Sequence, residues 1–89
     1  MKKTSKELIQ EVASRTGLSP LLGPGTVRRA LRDFGTSPEL STIEDYYAPE
    51  FLPLLKARIA VYLGEEAAEA NIRELTRFIG TLKKENERV

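Results

Sequence analysis

Apolar residues recur at helical spacing in several places along this chain, and the breaks between them fall at glycine and proline. Leu8, Ile9, Val12 and Ala13 share one face, with Lys6, Gln10, Glu11 and Arg15 toward water, the pattern of a helix that buries one stripe. Thr4 stands three residues before Glu7, the spacing of a capping box, so this helix is expected to begin near Ser5. Gly17, which accepts a left-handed conformation at no steric cost, is expected to stop it. A second helix is expected after Gly23, Pro24 and Gly25, with Thr26 as its cap. Val27, Ala30, Leu31 and Phe34 then point inward, Arg28, Arg29 and Arg32 project from the other side, and Gly35 ends the helix.

Residues 34–45 form the main linker, punctuated by Gly35, Thr36, Ser37 and Pro38. Ser37 followed by Pro38 and Glu39 suits a short helical turn with proline in first position, from which Leu40 is expected to reach the core. Ser41 and Glu44 repeat the capping-box spacing and predict a brief helix near 42–47. Pro49 disfavours helical geometry at Ala48, and Pro53 breaks backbone bonding unless a helix begins close to it. The next helix is therefore expected from about 50 or 53 to 63, with Leu52, Leu55, Ile59 and Tyr62 on its stripe, Leu63 beside them and Gly64 as its stop. Beyond it Ala68, Ile72, Leu75, Ile79 and Leu82 recur at three and four residues, broadened by Phe78, and close an αα-hairpin around Gly64. Glu65, Glu66 and Glu69 near the start of this last helix, and Arg77, Lys83 and Lys84 near its end, suit the helix dipole. The expected fold is all-α: a small bundle of four to five helices over residues 1–84, with a helix-turn-helix-like N-terminal pair, a C-terminal hairpin, and a frayed tail at 85–89.

With 89 residues, 40% of them apolar, the chain makes one domain with a modest core. It has no cysteine and no histidine, which removes disulfides, thiol chemistry and the commonest general base and metal ligand. Its apolar runs are far shorter than a membrane span, and the lysine-bearing start is not followed by the apolar run of a signal peptide, so a cytoplasmic protein away from membranes is expected. Residues 1–35 carry seven Lys or Arg against three acids, while 36–64 sum to −2 and 65–89 to −1, for a total of +1. Phosphate neutralisation as the main source of binding goes with a larger basic excess, so any nucleic-acid contact belongs to the N-terminal half.

Residues 8–35 resemble the bihelical DNA-reading unit of bacterial repressors. The matching residues are Ala13 on the first helix, Gly17 in the turn, Ser19, Thr26 and Val27, and the Arg-Arg-x-Leu-Arg of 28–32, with residues 20–25 inserted into a turn that ordinarily has three or four residues. The stretch ELIQEVASRTGLS, with Ala30 and Leu31, also faintly resembles the first helices of histone-like nucleoid proteins, though the basic β-ribbon arm of that family has no counterpart. Either resemblance covers about a third of the chain. It implies double-stranded DNA as a partner, contacted by Ser19, Thr26, Arg28, Arg29 and Arg32, with the arginines pairing with phosphates or a guanine edge.

A second class of function rests on the aromatics. Tyr46, Tyr47, Phe51, Tyr62 and Phe78 form a compact cluster if buried and good anchors for a protein partner if exposed. The apolar stripe of the last helix is a core stripe first, and in so short a chain it is also a candidate to cross the twofold axis of a homodimer. No motif points to catalysis, a metal or a cofactor: there is no HExxH, EF-hand, activated serine or phosphate-binding lysine loop. The sequence thus expects a non-enzymatic protein. It is either a small DNA-binding or transcription and nucleoid regulator, or an adaptor or subunit of a larger assembly.

Overall fold

Thr4 starts the first helix as its spacing predicts: its hydroxyl accepts from the Glu7 amide at 3.1 Å, and its own amide donates to Glu7 Oε1 at 2.8 Å. From there the computed structural model, which describes residues 3–87 and only the backbone of Asn86, is all-α. It comprises α1 (Ser5–Ala13), α2 (Gly23–Phe34), α3 (Ile43–Tyr47), α4 (Phe51–Leu63) and α5 (Glu65–Glu87), with a 3₁₀ turn at Pro38–Leu40 between α2 and α3. α1 packs on α2, α2 on α4, and α5 on both α4 and α3. At about 1.5 Å per residue, α5 runs roughly 35 Å, nearly the whole 37 Å long axis of the molecule.

The expected stripes form the core, except at the end of the α4 stripe, where Tyr62 and Leu63 are exposed. Leu8, Ile9, Val12 and Ala13 of α1 meet Val27, Ala30 and Leu31 of α2, Leu55 and Ile59 of α4, and Ala68, Leu75, Ile79 and Leu82 of α5. Ile72 and Phe78 pack against this core half-buried. Each aliphatic or aromatic side chain withdrawn from water in this way contributes about 1.5–3 kcal/mol, which is what a short chain has available.

Several local expectations shift for physical reasons. α1 ends at Ala13, before Gly17, because Thr16 folds back. Its hydroxyl donates to the Ala13 carbonyl at 2.8 Å and accepts from the Leu18 amide at 3.2 Å. α2 begins at Gly23, earlier than expected, because glycine allows its first turn to press on α1: a Cβ there would stand 3.1 Å from the Ala13 carbonyl oxygen. Thr26 consequently caps nothing and lies inside the helix. Leu40 is 75% exposed, and Pro38 is buried in its place. The cap of α3 moves one residue along, with Asp45 accepting from the Thr42 amide at 2.8 Å, because the Ser41 hydroxyl is already donated to the Pro38 carbonyl. At the other end α5 stays helical through Glu87, past the point where a frayed tail was expected. Arg88 and Val89 of that tail lie outside the described residues.

Candidate functional site

α2 presents its arginines on the face away from the core. Arg29 and Arg32 are exposed and Arg28 is half-buried. Among the described residues, ion pairs join Lys3 to Glu11, Asp33 to Arg58 and Glu69 to Arg73, and none takes Arg28, Arg29 or Arg32. The other residues of the expected DNA-contacting set do not join them. Thr26 is buried, with its hydroxyl donated to the Leu22 carbonyl at 2.9 Å. Ser19 is exposed, but its hydroxyl accepts from the Leu22 amide within its own turn. The first turn of α2 is Gly23, Pro24 and Gly25, which offers no long side chain.

The aromatics divide. Phe51 and Tyr46 are fully buried, their rings edge to face at 5.2 Å, and Phe34 meets Phe51 in the same geometry at 6.0 Å. These two expected partner anchors are therefore core residues. Burial pushes the Tyr46 hydroxyl up to about 12, so its contribution to stability is present below pH 10 and is lost as the pH rises toward 12. Phe78 is half-buried beneath the Arg15 guanidinium, 4.0 Å from its ring centre, and Tyr47 carries the Lys83 ammonium at 4.5 Å. Of the five, Tyr62 is the most open.

What the aromatic pattern missed is an apolar end. Phe34, which closes α2, meets Phe51, which opens α4, edge to face, and the last turn of α4 lies at the other end of that helix. The α1–α2 connection meets the same end. A Cβ at Gly17 would stand 3.3 Å from Leu63 Cδ1, and Asn71 Nδ2 donates to the Thr16 carbonyl at 3.0 Å. Leu21 and Leu22 from the connection, and Val61, Tyr62 and Leu63 from the last turn of α4, are all exposed there, Leu21 by 89% and Val61 by 80%. Leu40 and Tyr47 are the exposed large hydrophobics elsewhere among the described residues. Glu65, Glu66 and Glu69 flank this end along α5, and Arg29 lies two turns along α2. The signal was present in the sequence as Pro-Leu-Leu-Gly and Val-Tyr-Leu-Gly, two apolar runs ending at glycine at positions where helices stop or start.

Arg58 bridges α4 to α2 by donating to both oxygens of Asp33, at 2.6 and 3.0 Å, and holds that carboxyl below the usual carboxylate range. Hydrogen bonds from the Thr4 amide and hydroxyl likewise lower Glu7. A carboxylate with a depressed pKa contributes stability above its unfolded value and loses it as pH falls through the folded one. The melting temperature is therefore expected to drop as the pH is taken from about 5 to 3, and to drop less in a D33N/E7Q variant. An equal drop in both proteins would contradict this.

Among the described residues no cluster of His, Cys, Asp or Glu is arranged to hold a metal ion, and no helix is long and apolar enough to cross a membrane. Every buried side-chain nitrogen or oxygen among them has a hydrogen-bond partner. Comparison with protein-family models, curated proteins and solved structures matches none of them to this chain.

Proposed function

We propose that this chain is a non-enzymatic protein-interaction module, an adaptor or subunit of a larger assembly, that binds through its apolar end. The observation that carries this reading is that Leu21, Leu22, Val61, Tyr62 and Leu63 are exposed on two segments, the α1–α2 connection and the last turn of α4, which meet where Gly17 lies against Leu63. Contiguous exposed apolar surface rimmed by charge marks contact sites on soluble proteins. Tyr62 supplies the amphipathic anchor typical of interface centres.

A DNA-binding reading keeps one specific support, the three arginines of α2, which have no carboxylate within ion-pair distance among the described residues. With Thr26 buried and a Gly-Pro-Gly first turn, those arginines would serve phosphates more readily than base edges. One pair of variants separates the two readings. Val61→Asp with Tyr62→Ser is expected to abolish co-purification of the native partner, or self-association in sedimentation, while Arg28, Arg29 and Arg32 changed to alanine leave it intact. Salt-sensitive anisotropy changes on mixed-sequence duplex DNA over about 50–300 mM salt, lost in the triple alanine variant and kept in the apolar one, would reverse the assignment.

A further inference from the structure

At the opposite end from the proposed contact surface, the start of α1, the 3₁₀ turn, the start of α3 and the last turns of α5 enclose a cleft of about 420 Å³. Leu8, Ile43 and Leu82 form its floor, each nearly buried in the fold, and Leu40 stands over the rim. That volume lies in the range of pockets that enclose a small ligand or one bulky side chain. Leu40 leaves the core here although its turn is well formed, which places an apolar wall on the solvent side of an apolar floor.

Among the described residues that line this cleft, acids outnumber cations. Of these residues, Glu39, Glu44 and Glu85 are acidic and Lys3 is the cation, its ammonium held by Glu11 at 3.2 Å and also within the field of Glu85. Lys6 and Arg28 line the adjoining groove that shares Glu39, which leaves Glu44 and Glu85 as the lining acids outside that groove. An occupant that fits has an apolar body for the leucine and isoleucine floor and a positive charge beside it. We infer that this cleft docks a basic peptide segment, seating one bulky apolar side chain on Leu8, Ile43 and Leu82 while a flanking Lys or Arg meets Glu44 and Glu85.

The test is an NMR titration of the full chain with acetyl-Lys-Phe-Lys-amide. Saturable shifts are expected at the methyls of Leu8, Ile43 and Leu82, with a dissociation constant in the roughly millimolar range that a single anchor supports. The E44Q/E85Q variant, whose changes lie on exposed side chains, should weaken binding about fivefold. Acetyl-Glu-Phe-Glu-amide should leave the cleft unoccupied, and acetyl-Lys-Ala-Lys-amide should bind no more than weakly. Equal binding of the basic and acidic peptides, unchanged affinity in E44Q/E85Q, or shifts confined to the Leu21 and Tyr62 end would each overturn the inference. Because these readouts sit at the far end from Val61 and Tyr62, they stand or fall independently of the proposed contact surface.

Discussion

Phe51→Ala is expected to lower the unfolding free energy by about 3–5 kcal/mol, a large part of the roughly 5–15 kcal/mol that holds a domain of this kind together. Phe51 is the first residue of α4, is fully buried, and takes the edges or faces of two other rings, Phe34 and Tyr46. Its removal therefore leaves a cavity where α2, α3 and α4 meet and also ends both aromatic contacts, each worth about 0.5–1.5 kcal/mol beyond burial. Urea denaturation followed by circular dichroism measures the loss. Tyr46→Phe is the informative companion, because it keeps the ring and removes a hydroxyl whose contact with Ser41 is long, at 3.5 Å. That change should cost no more than about 1 kcal/mol. Similar losses from the two substitutions would mean that the ring cluster is not the joint this geometry describes.

Gly17→Ala should be the most damaging change on the surface of the molecule, at about 2–3 kcal/mol by addition of a left-handed backbone penalty and a lost hydrogen bond. Gly17 has φ +83°, and a Cβ there would strike the Asn71 amide, which now donates to the Thr16 carbonyl. Gly35 is the control. Its φ is +98° with open space around it, so alanine there meets the backbone penalty alone. If the two variants lose equal stability, the Asn71 contact contributes nothing. Because Gly17 lies against Leu63 Cδ1, the same substitution should also shift the α1–α2 connection against the last turn of α4, so partner binding is expected to weaken more in G17A than in G35A at matched stability.

Helices and core were largely legible in the sequence, because helical periodicity is a property of burial and burial decides most of this fold. Ala68, Leu75, Ile79 and Leu82 fall on the core face of α5 as their spacing requires, and the Thr4–Glu7 cap forms as its spacing requires. Two kinds of feature were not legible. One is competition between near-equivalent local partners. Ser41–Glu44 and Thr42–Asp45 have the same spacing, and only the tertiary position of Ser41, next to the Pro38 carbonyl and the Tyr46 hydroxyl, decides between them. The other is the side on which an apolar residue ends up when its element is too short to have a face. Leu40 in a three-residue turn and Leu21 in a connection carry the same hydrophobicity as core leucines. For the candidate surface the consequence was large: aromatic type singled out Tyr46 and Phe51, which are buried, while the exposed end is built mainly from leucine and valine.

α5 is one uninterrupted helix from the corner at Gly64 to the cleft at Leu82 and Glu85. An α-helix resists compression and bending over such a length, and its rise sets the separation of the Gly64 corner from the cleft at about 30 Å. The domain is in that sense a strut. Whatever is held at one end is held at a fixed distance and a fixed rotation from whatever is held at the other. An insertion or deletion within α5 would alter both together, by about 1.5 Å and about 100° for each residue.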